Sequence, residues 1–341
     1  MTRLFSLGSN GNHQLSLGHN EDTSEPSRCI LAASPLPGSS EKWTLTSGGN
    51  HTLLLTDSGA VFATGSNEHG QLGLPPTTES VPHFTRVHPS HQWTRVACGF
   101  DFSVLVDARG GIFVAGLNDK GALGLGSLDH TESLQEVPFN LSRRVTHLAA
   151  SINHVVMVLN DNEVYGWGNG RQGALGPIML DTKGHVRSPT RLDLVPHDDV
   201  VRDIAVGKDW TIVLTSSDAR YVGMQGRRVI DVSGIDVLRV LYMTSNWSTV
   251  HFLMDTGTVE ARGRDDRGQF PPPDLPPLKS LASGSEHSIG IGRDGRVYVW
   301  GWNEHGNCGK GTADVEDVRV LDVPIPTVTG VAGGYGTTFI W

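Results

Sequence analysis

Two short motifs alternate from one end of this chain to the other, and such a repeat limits the fold more severely than any single residue does. The first is a strand-like run that ends in glycine and leads into a glycine-closed loop. Its clearest copies are VFATGSNEHGQLG ending at Gly73, IFVAGLNDKGALG at Gly124, VYGWGNGRQGALG at Gly176 and VYVWGWNEHGNCG at Gly309. Weaker copies are LFSLGSNGNHQLS to Ser16, VEARGRDDRGQF to Phe270 and an eroded YVGMQGRR starting at Tyr221.

The second motif is Ala-x-Gly, or a variant of it, followed by a β-rich run. It appears as TSGGNHTLLL from Thr46, VACGFDFSVLV from Val96, LAASINHVVMV from Leu148 and IAVGKDWTIVL from Ile204. Three further copies are LYMTSNWSTVHF from Leu241, LASGSEHSIGI from Leu281 and VAGGYGTTFIW from Val331. The glycine-equivalent position falls at 48, 99, 151, 207, 244, 284 and 334, in steps of 51, 52, 56, 37, 40 and 50.

Units of that length are the size of propeller blades. Each apolar run meets the next glycine strand across a turn such as Asp57-Ser58-Gly59, Asp255-Thr256-Gly257 or Asp294-Gly295, which makes antiparallel hairpins. The expected fold is therefore all-β: one domain over residues 1–341, a seven-bladed β-propeller of four-stranded blades. The chain opens on an unpartnered glycine strand, residues 4–8, and ends on an unpartnered Ala-x-Gly run, residues 331–341. Pairing of these two ends in one blade closes the ring and removes its sheet edges.

Lys plus Arg number 27 against 36 Asp plus Glu, a formal charge of −9 that disfavours direct binding of nucleic acid. No apolar run approaches bilayer-spanning length, and residues 1–8 lack an export pattern. Cys29, Cys98 and Cys308 are odd in number and widely spaced, as expected in a reducing compartment. The glycosylation triplets at Asn50, Asn140 and Asn246 then read as chance matches.

Candidate chemistry is sparse. Gly168-x-Gly170-x-x-Gly173 matches a dinucleotide fingerprint, but no helix follows, and the sister loop Gly65-x-Asn67-x-x-Gly70 identifies it as a repeat turn. His51, His154 and His287 occupy matching positions, filled elsewhere by Phe102, Trp210, Trp247 and Thr337. Imidazoles in non-neighbouring blades cannot converge on one metal, so packing and hydrogen bonding are the expected roles. The pairs Asp198-Asp199 and Asp265-Asp266 lie in polar turns and read as solvated carboxylates, and no nucleophile elbow is present. No catalytic residue, metal ligand or cofactor follows from the sequence.

Trp302 stands out because its repeat position holds Ser9, Ser66, Leu117, Asn169 and Arg264 elsewhere. A large aromatic in a polar loop is the kind of anchor that dominates interfaces. The expected partner-binding set is Trp302, His305 and Asn307, with Trp210, Trp247, Arg264 and Asp265 from the neighbouring repeats. The bland alternative is that the indoles plug the central channel or pack between blades. The stretch Pro271-Pro272-Pro273-Asp274-Leu275-Pro276-Pro277 reads as a stiff connector. It departs from the common repeat, as does the region around Gln225, Arg227 and Arg228.

The paired motifs resemble the repeat of the regulator of chromosome condensation family over nearly the whole chain, which implies a seven-bladed propeller. FSLGSNGNHQLSLGHNED from Phe5, GRDDRGQFPP from Gly263 and VWGWNEHGNCG from Val299 resemble more narrowly the small fungal alpha-tubulin-suppressor, or killer-toxin-insensitivity, branch. That resemblance implies a non-enzymatic heterodimer with the small zinc-binding protein of diphthamide synthesis, in the cytoplasm or nucleus. It further implies support of diphthamide formation on elongation factor two and of Elongator-dependent wobble-uridine modification of tRNA. Any zinc would then belong to the partner. The family's rival activity is guanine nucleotide exchange on a small GTPase. Against it, the spacing from Gly116 to Gly168 leaves no room for a large wedge insertion.

Overall fold

The computed structural model describes residues 3–31, 42–126, 128, 130–139, 144–196, 198–223 and 229–341; Asn140, Gln225, Arg227 and Arg228 lie outside these. Seven antiparallel sheets follow one another along the chain. Blades one to six span residues 43–87, 93–136, 145–192, 201–223, 240–263 and 278–321. The seventh is shared by the two ends of the chain, in the order Thr23–Arg28, Phe5–Gly8, Thr337–Ile340, Val331–Gly333. The expected closure is therefore present, with Phe5 paired to Ile340 and Gly8 to Thr337.

The second strand of every blade is sandwiched between neighbouring blades. His51–Thr56, Phe102–Asp107, His154–Leu159 and Thr249–Met254 are buried along their whole length. Burial on both faces is why these segments are almost continuously apolar instead of alternating.

Among the described residues, two blades depart from the expectation of four strands. Blade four holds Val201–Val206, Trp210–Thr215 and Ala219–Gly223, and blade five holds Val240–Ser245, Thr249–Met254 and Val259–Gly263. After Gly263 the chain runs through residues 264–277 in turns and bends only. The five prolines of that stretch have no N–H to give to a sheet ladder. The sequence alignment of blade five also shifts by two residues. Asn246 N–H donates to Thr249 O as Gly284 N–H does to His287 O, so the equivalent position is 246, not 244. The short steps become 39 and 38, and the strand opens on Thr249 rather than Trp247.

The recurring glycine at the end of six of the seven third strands has a steric cause. Gly8, Gly65, Gly116, Gly168, Gly263 and Gly301 all have φ between +101° and +128°. A Cβ at any of them would lie 2.1–2.5 Å from a carbonyl oxygen at the start of the neighbouring second strand. Only glycine accepts both conditions. The fingerprint glycine Gly168 is one of this set.

The matching histidines latch one blade to the next. His51 Nε2 is 2.9 Å from Ser103 Oγ, His287 Nε2 is 2.9 Å from Thr338 Oγ1, and His154 Nε2 is 3.5 Å from Thr211 Oγ1. Burial pushes the His51 imidazole down to about 3 and those of His154 and His287 to about 4, so all three are neutral at neutral pH. Among the described residues, no group of three His, Cys, Asp or Glu side chains is placed to hold a metal ion.

Candidate functional site

The turn between first and second strands and the loop after the third strand emerge on the same face of each blade, around one mouth of the axial channel. Toward this mouth the channel holds a cavity of about 260 Å³ whose lining includes Cys98, Ala150, Ala205, Ser245, Trp247 and Tyr335. Successive first turns are stitched by backbone bonds: Gly49 N–H to Phe100 O, Lys208 N–H to Trp247 O, and Trp247 N–H to Ser285 O, at 2.7–2.9 Å. Several residues at this mouth are thus held by backbone bonds between neighbouring turns as well as by the blades beneath them.

Aromatic side chains converge there. Tyr335 meets Trp247 edge to face at 5.1 Å and Phe100 at 5.8 Å, and Phe100 is 37% exposed, unusual for a phenylalanine. Burial raises the Tyr335 phenol well above its ordinary value, keeping it neutral. Beside this cluster, half-buried Trp302 packs edge to face on His305 at 5.3 Å, and His305 Nδ1 lies 2.8 Å from Asp22 Oδ2. Asp22 is itself fixed, since its Oδ1 accepts the Asn10 N–H at 2.7 Å. Trp302 N–H donates to Glu286 O at 2.9 Å. The Glu286 carboxylate accepts from Ser248 Oγ and Gln269 Nε2, and burial raises its pKa.

The seven residues singled out from sequence therefore divide by depth. Trp302, His305 and Trp247 are partly exposed on this face, and Arg264 and Asp265 are exposed, Arg264 paired with Asp266. Trp210 is only 5% exposed and its Nε1 donates to Trp247 O at 3.0 Å, tying blade four to blade five. Asn307 is fully buried. Its Nδ2 donates to Trp302 O at 2.6 Å and its carbonyl accepts from Thr338 Oγ1 at 2.8 Å. The expectation of direct partner contact is thus corrected for Asn307, which supports Trp302 from beneath. Sequence reasoning missed Phe100 and Tyr335, which occupy the same turn position as Trp247 in their own blades.

Asp265 has a second role. In four sister loops an asparagine accepts, through Oδ1, the backbone N–H five residues on: Asn10 from Leu15, Asn67 from Leu72, Asn118 from Leu123, Asn303 from Cys308. Its amide group then donates to carbonyls on the way to the fourth strand, as Asn67 does to Leu74 O and Thr78 O. Asp265 Oδ1 accepts from Phe270 N–H at 2.8 Å in the same manner. A carboxylate cannot make the donating half of the brace, and blade five has no fourth strand to approach.

A propeller presenting partly exposed aromatic rings on one face is suited to binding another protein. The model of the RCC1-like domain matches residues 3–340, and the chain belongs to that family. The RCC1 repeat-containing protein C10F6.04 of Schizosaccharomyces pombe is 33% identical, over 99% of this chain and 98% of its own length. The secretion-regulating guanine nucleotide exchange factor of Mus musculus is 29% identical, over 91% of this chain and 76% of its own. Among solved structures, Prp20p from Saccharomyces cerevisiae superposes with a TM-score of 0.82 at 19% identity, covering 99% of this chain and 90% of that one. Human WBSCR16 gives 0.83 at 19% identity, covering 100% and 99%. At that identity the two structures speak for the fold alone.

Proposed function

We propose that this chain is a non-enzymatic binding platform that holds the small zinc-binding protein of diphthamide synthesis on its aromatic face. Through that heterodimer it supports diphthamide formation on elongation factor two and Elongator-dependent modification of tRNA wobble uridine. The observation that carries a binding role is the set of partly exposed rings Trp302, Trp247 and Phe100 on a face stitched by backbone bonds. Aromatic anchors on a rigid base give much contact area for little loss of side-chain freedom. The identity of the partner comes from the resemblance of the three passages around Phe5, Gly263 and Val299 to the alpha-tubulin-suppressor branch.

The test is purification of the tagged chain from its native cells, with identification of co-purifying protein and zinc. The expected outcome is a small zinc-binding protein in equimolar amount. Trp302→Ala should then weaken the complex at least tenfold, about 1.4 kcal/mol, without changing the unfolding midpoint of the free propeller. A complex of unchanged affinity would remove this face from the interface.

Guanine nucleotide exchange is the second reading, favoured by the 29% identity to a protein named for that activity. Acceleration of nucleotide release from a small GTPase by the purified chain would support it. No acceleration, together with the zinc-protein complex, leaves the platform reading standing.

A further inference from the structure

The outer edge of blade five is an unpaired strand whose missing neighbour can be specified. Arg264 N–H donates to Ser248 O and Met254 N–H to Thr258 O, and Gly263 stands opposite Thr249. This phase turns the backbone groups of Glu260 and Arg262 toward the second strand and those of Val259, Ala261 and Gly263 outward. Among the described residues, the outward N–H groups of these three have no hydrogen-bond partner, and the Ala261 carbonyl is met only by Arg262 Nη1, at 2.9 Å. Ala261, Arg262 and Gly263 border a groove of about 920 Å³ that Trp210 and Trp247 also line.

The other blades show what belongs there. In all five four-stranded blades the outer strand sets a β-branched residue opposite the third-strand glycine: Val81 on Gly65, Thr131 on Gly116, Val186 on Gly168, Val315 on Gly301 and Thr23 on Gly8. Six residues later each has a buried apolar residue, respectively Val87, Val137, Leu192, Leu321 and Cys29. That residue sits beside the start of the third strand, where Val137 N–H donates to Ile112 O and Cys29 N–H to Leu4 O, at 2.8 and 2.9 Å. Gly263 and Val259 hold the corresponding two positions in blade five, where residues 264–277, rich in proline, form no strand against them; only Leu275 of that stretch packs in the apolar cluster that includes Val259.

We propose that this edge accepts an extended segment of a partner protein as a fourth strand, antiparallel to Val259–Gly263. The segment carries a β-branched residue that seats on Gly263 and an aliphatic residue six positions later beside Val259, with free amides between. Strand addition of this kind draws affinity from backbone bonds and selectivity from alternate side chains. It is independent of the partner named above.

The probe is a synthetic peptide copying residues 313–323, the outer strand of blade six, added at about 1 mM to the full chain, enough to half-fill even a weak site. Amide exchange is followed residue by residue by NMR. The expected result is about twofold slower exchange at Ala261 and Gly263, as half occupancy gives, and none of this slowing with a peptide N-methylated at the residue matching Arg319, which pairs with the Ala261 equivalent Val299. Unchanged exchange at those amides overturns the proposal. So does equal slowing by the N-methylated peptide, or slow exchange already present without any peptide, since the edge would then be unread or already covered.

Discussion

Phe5 and Ile340 are paired residues of adjacent strands, so the two ends of the polypeptide share a sheet. Leu7, on the same N-terminal strand, is fully buried in a cluster that includes Ile340, Val299 and Cys308 and so spans blades six and seven. A ring built this way has no free end from which to fray. Leu7→Ala should cost about 2–5 kcal/mol, the range for a fully buried leucine. Urea unfolding checks it: a midpoint within error of the parent would mean that the closing blade does not hold the ring together.

The three thiols report on the same closure. Cys29, Cys98 and Cys308 sit in or beside blades seven, two and six, all buried, and burial raises each thiol pKa, to about 12 for Cys29 and Cys98. Neutral, inaccessible thiols do not react. A thiol reagent at neutral pH should label none of them in the native protein and all three over a single urea transition. In Leu7→Ala, Cys29 should become reactive at lower urea than Cys98. Labelling of any thiol without denaturant would contradict the burial.

Acid should loosen the propeller above the carboxylate range. His51, His154, His251 and His287 are held neutral by burial, His51 down to about 3 and the others to about 4. Between those values and the ordinary imidazole value of about 6.5, the unfolded chain binds protons that the native chain does not. Stability is therefore complete above about pH 6.5 and falls as pH drops toward 4, by up to roughly 1.4 kcal/mol per pH unit for each histidine. Unfolding free energy measured from pH 7.5 to 4.5 should show this slope. His287→Gln, which retains a side chain able to bond Thr338, should remove about a quarter of it.

The ring, its closure and the number of blades were legible because each repeat carries its own turn chemistry: a positive-φ glycine, an Asx brace and an apolar second strand. The missing outer strands were legible too, since steps near 40 instead of 50 leave out one strand's worth of chain. Four strands per blade is the expectation that the longer repeats set, and the eroded loops of the two short ones hide where the shortfall lies. Trp247 was placed two positions late in its motif because Asn246 replaces the usual glycine and hides the alignment. Asparagine in a loop is usually a surface residue, so nothing in the sequence marks Asn307 as buried. Its sister residues Gln14, Gln71 and Gln269 are each 1% exposed, and that pattern of buried amides shows only in the folded loop. The pairing of Tyr335 with Phe100 and Trp247 joins three blades that are distant in sequence, and no local pattern announces it.

Steric need and repeat habit can be told apart at Gly301. Gly301 leads directly into the Trp302 loop with φ +101°, and a Cβ there would come 2.5 Å from Glu286 O and 2.7 Å from His287 Cα. Both neighbours are backbone, pinned by the bond from Trp302 N–H to Glu286 O, so neither can swing aside as a side chain would. Gly301→Ala must therefore distort the ladder between the second and third strands of blade six, at a cost of at least about 2 kcal/mol. Gly11→Ala is the control, because a Cβ there meets nothing within 4 Å and Gly11 does not have a positive φ. It should leave the unfolding midpoint within about 0.5 kcal/mol of the parent. Equal effects of the two substitutions in urea unfolding would show that the recurring glycine is not there for want of room. The same distortion should carry into the Trp302–His305 contact, so Gly301→Ala should also change Trp302 fluorescence in the folded protein, read against Trp302→Phe as the blank.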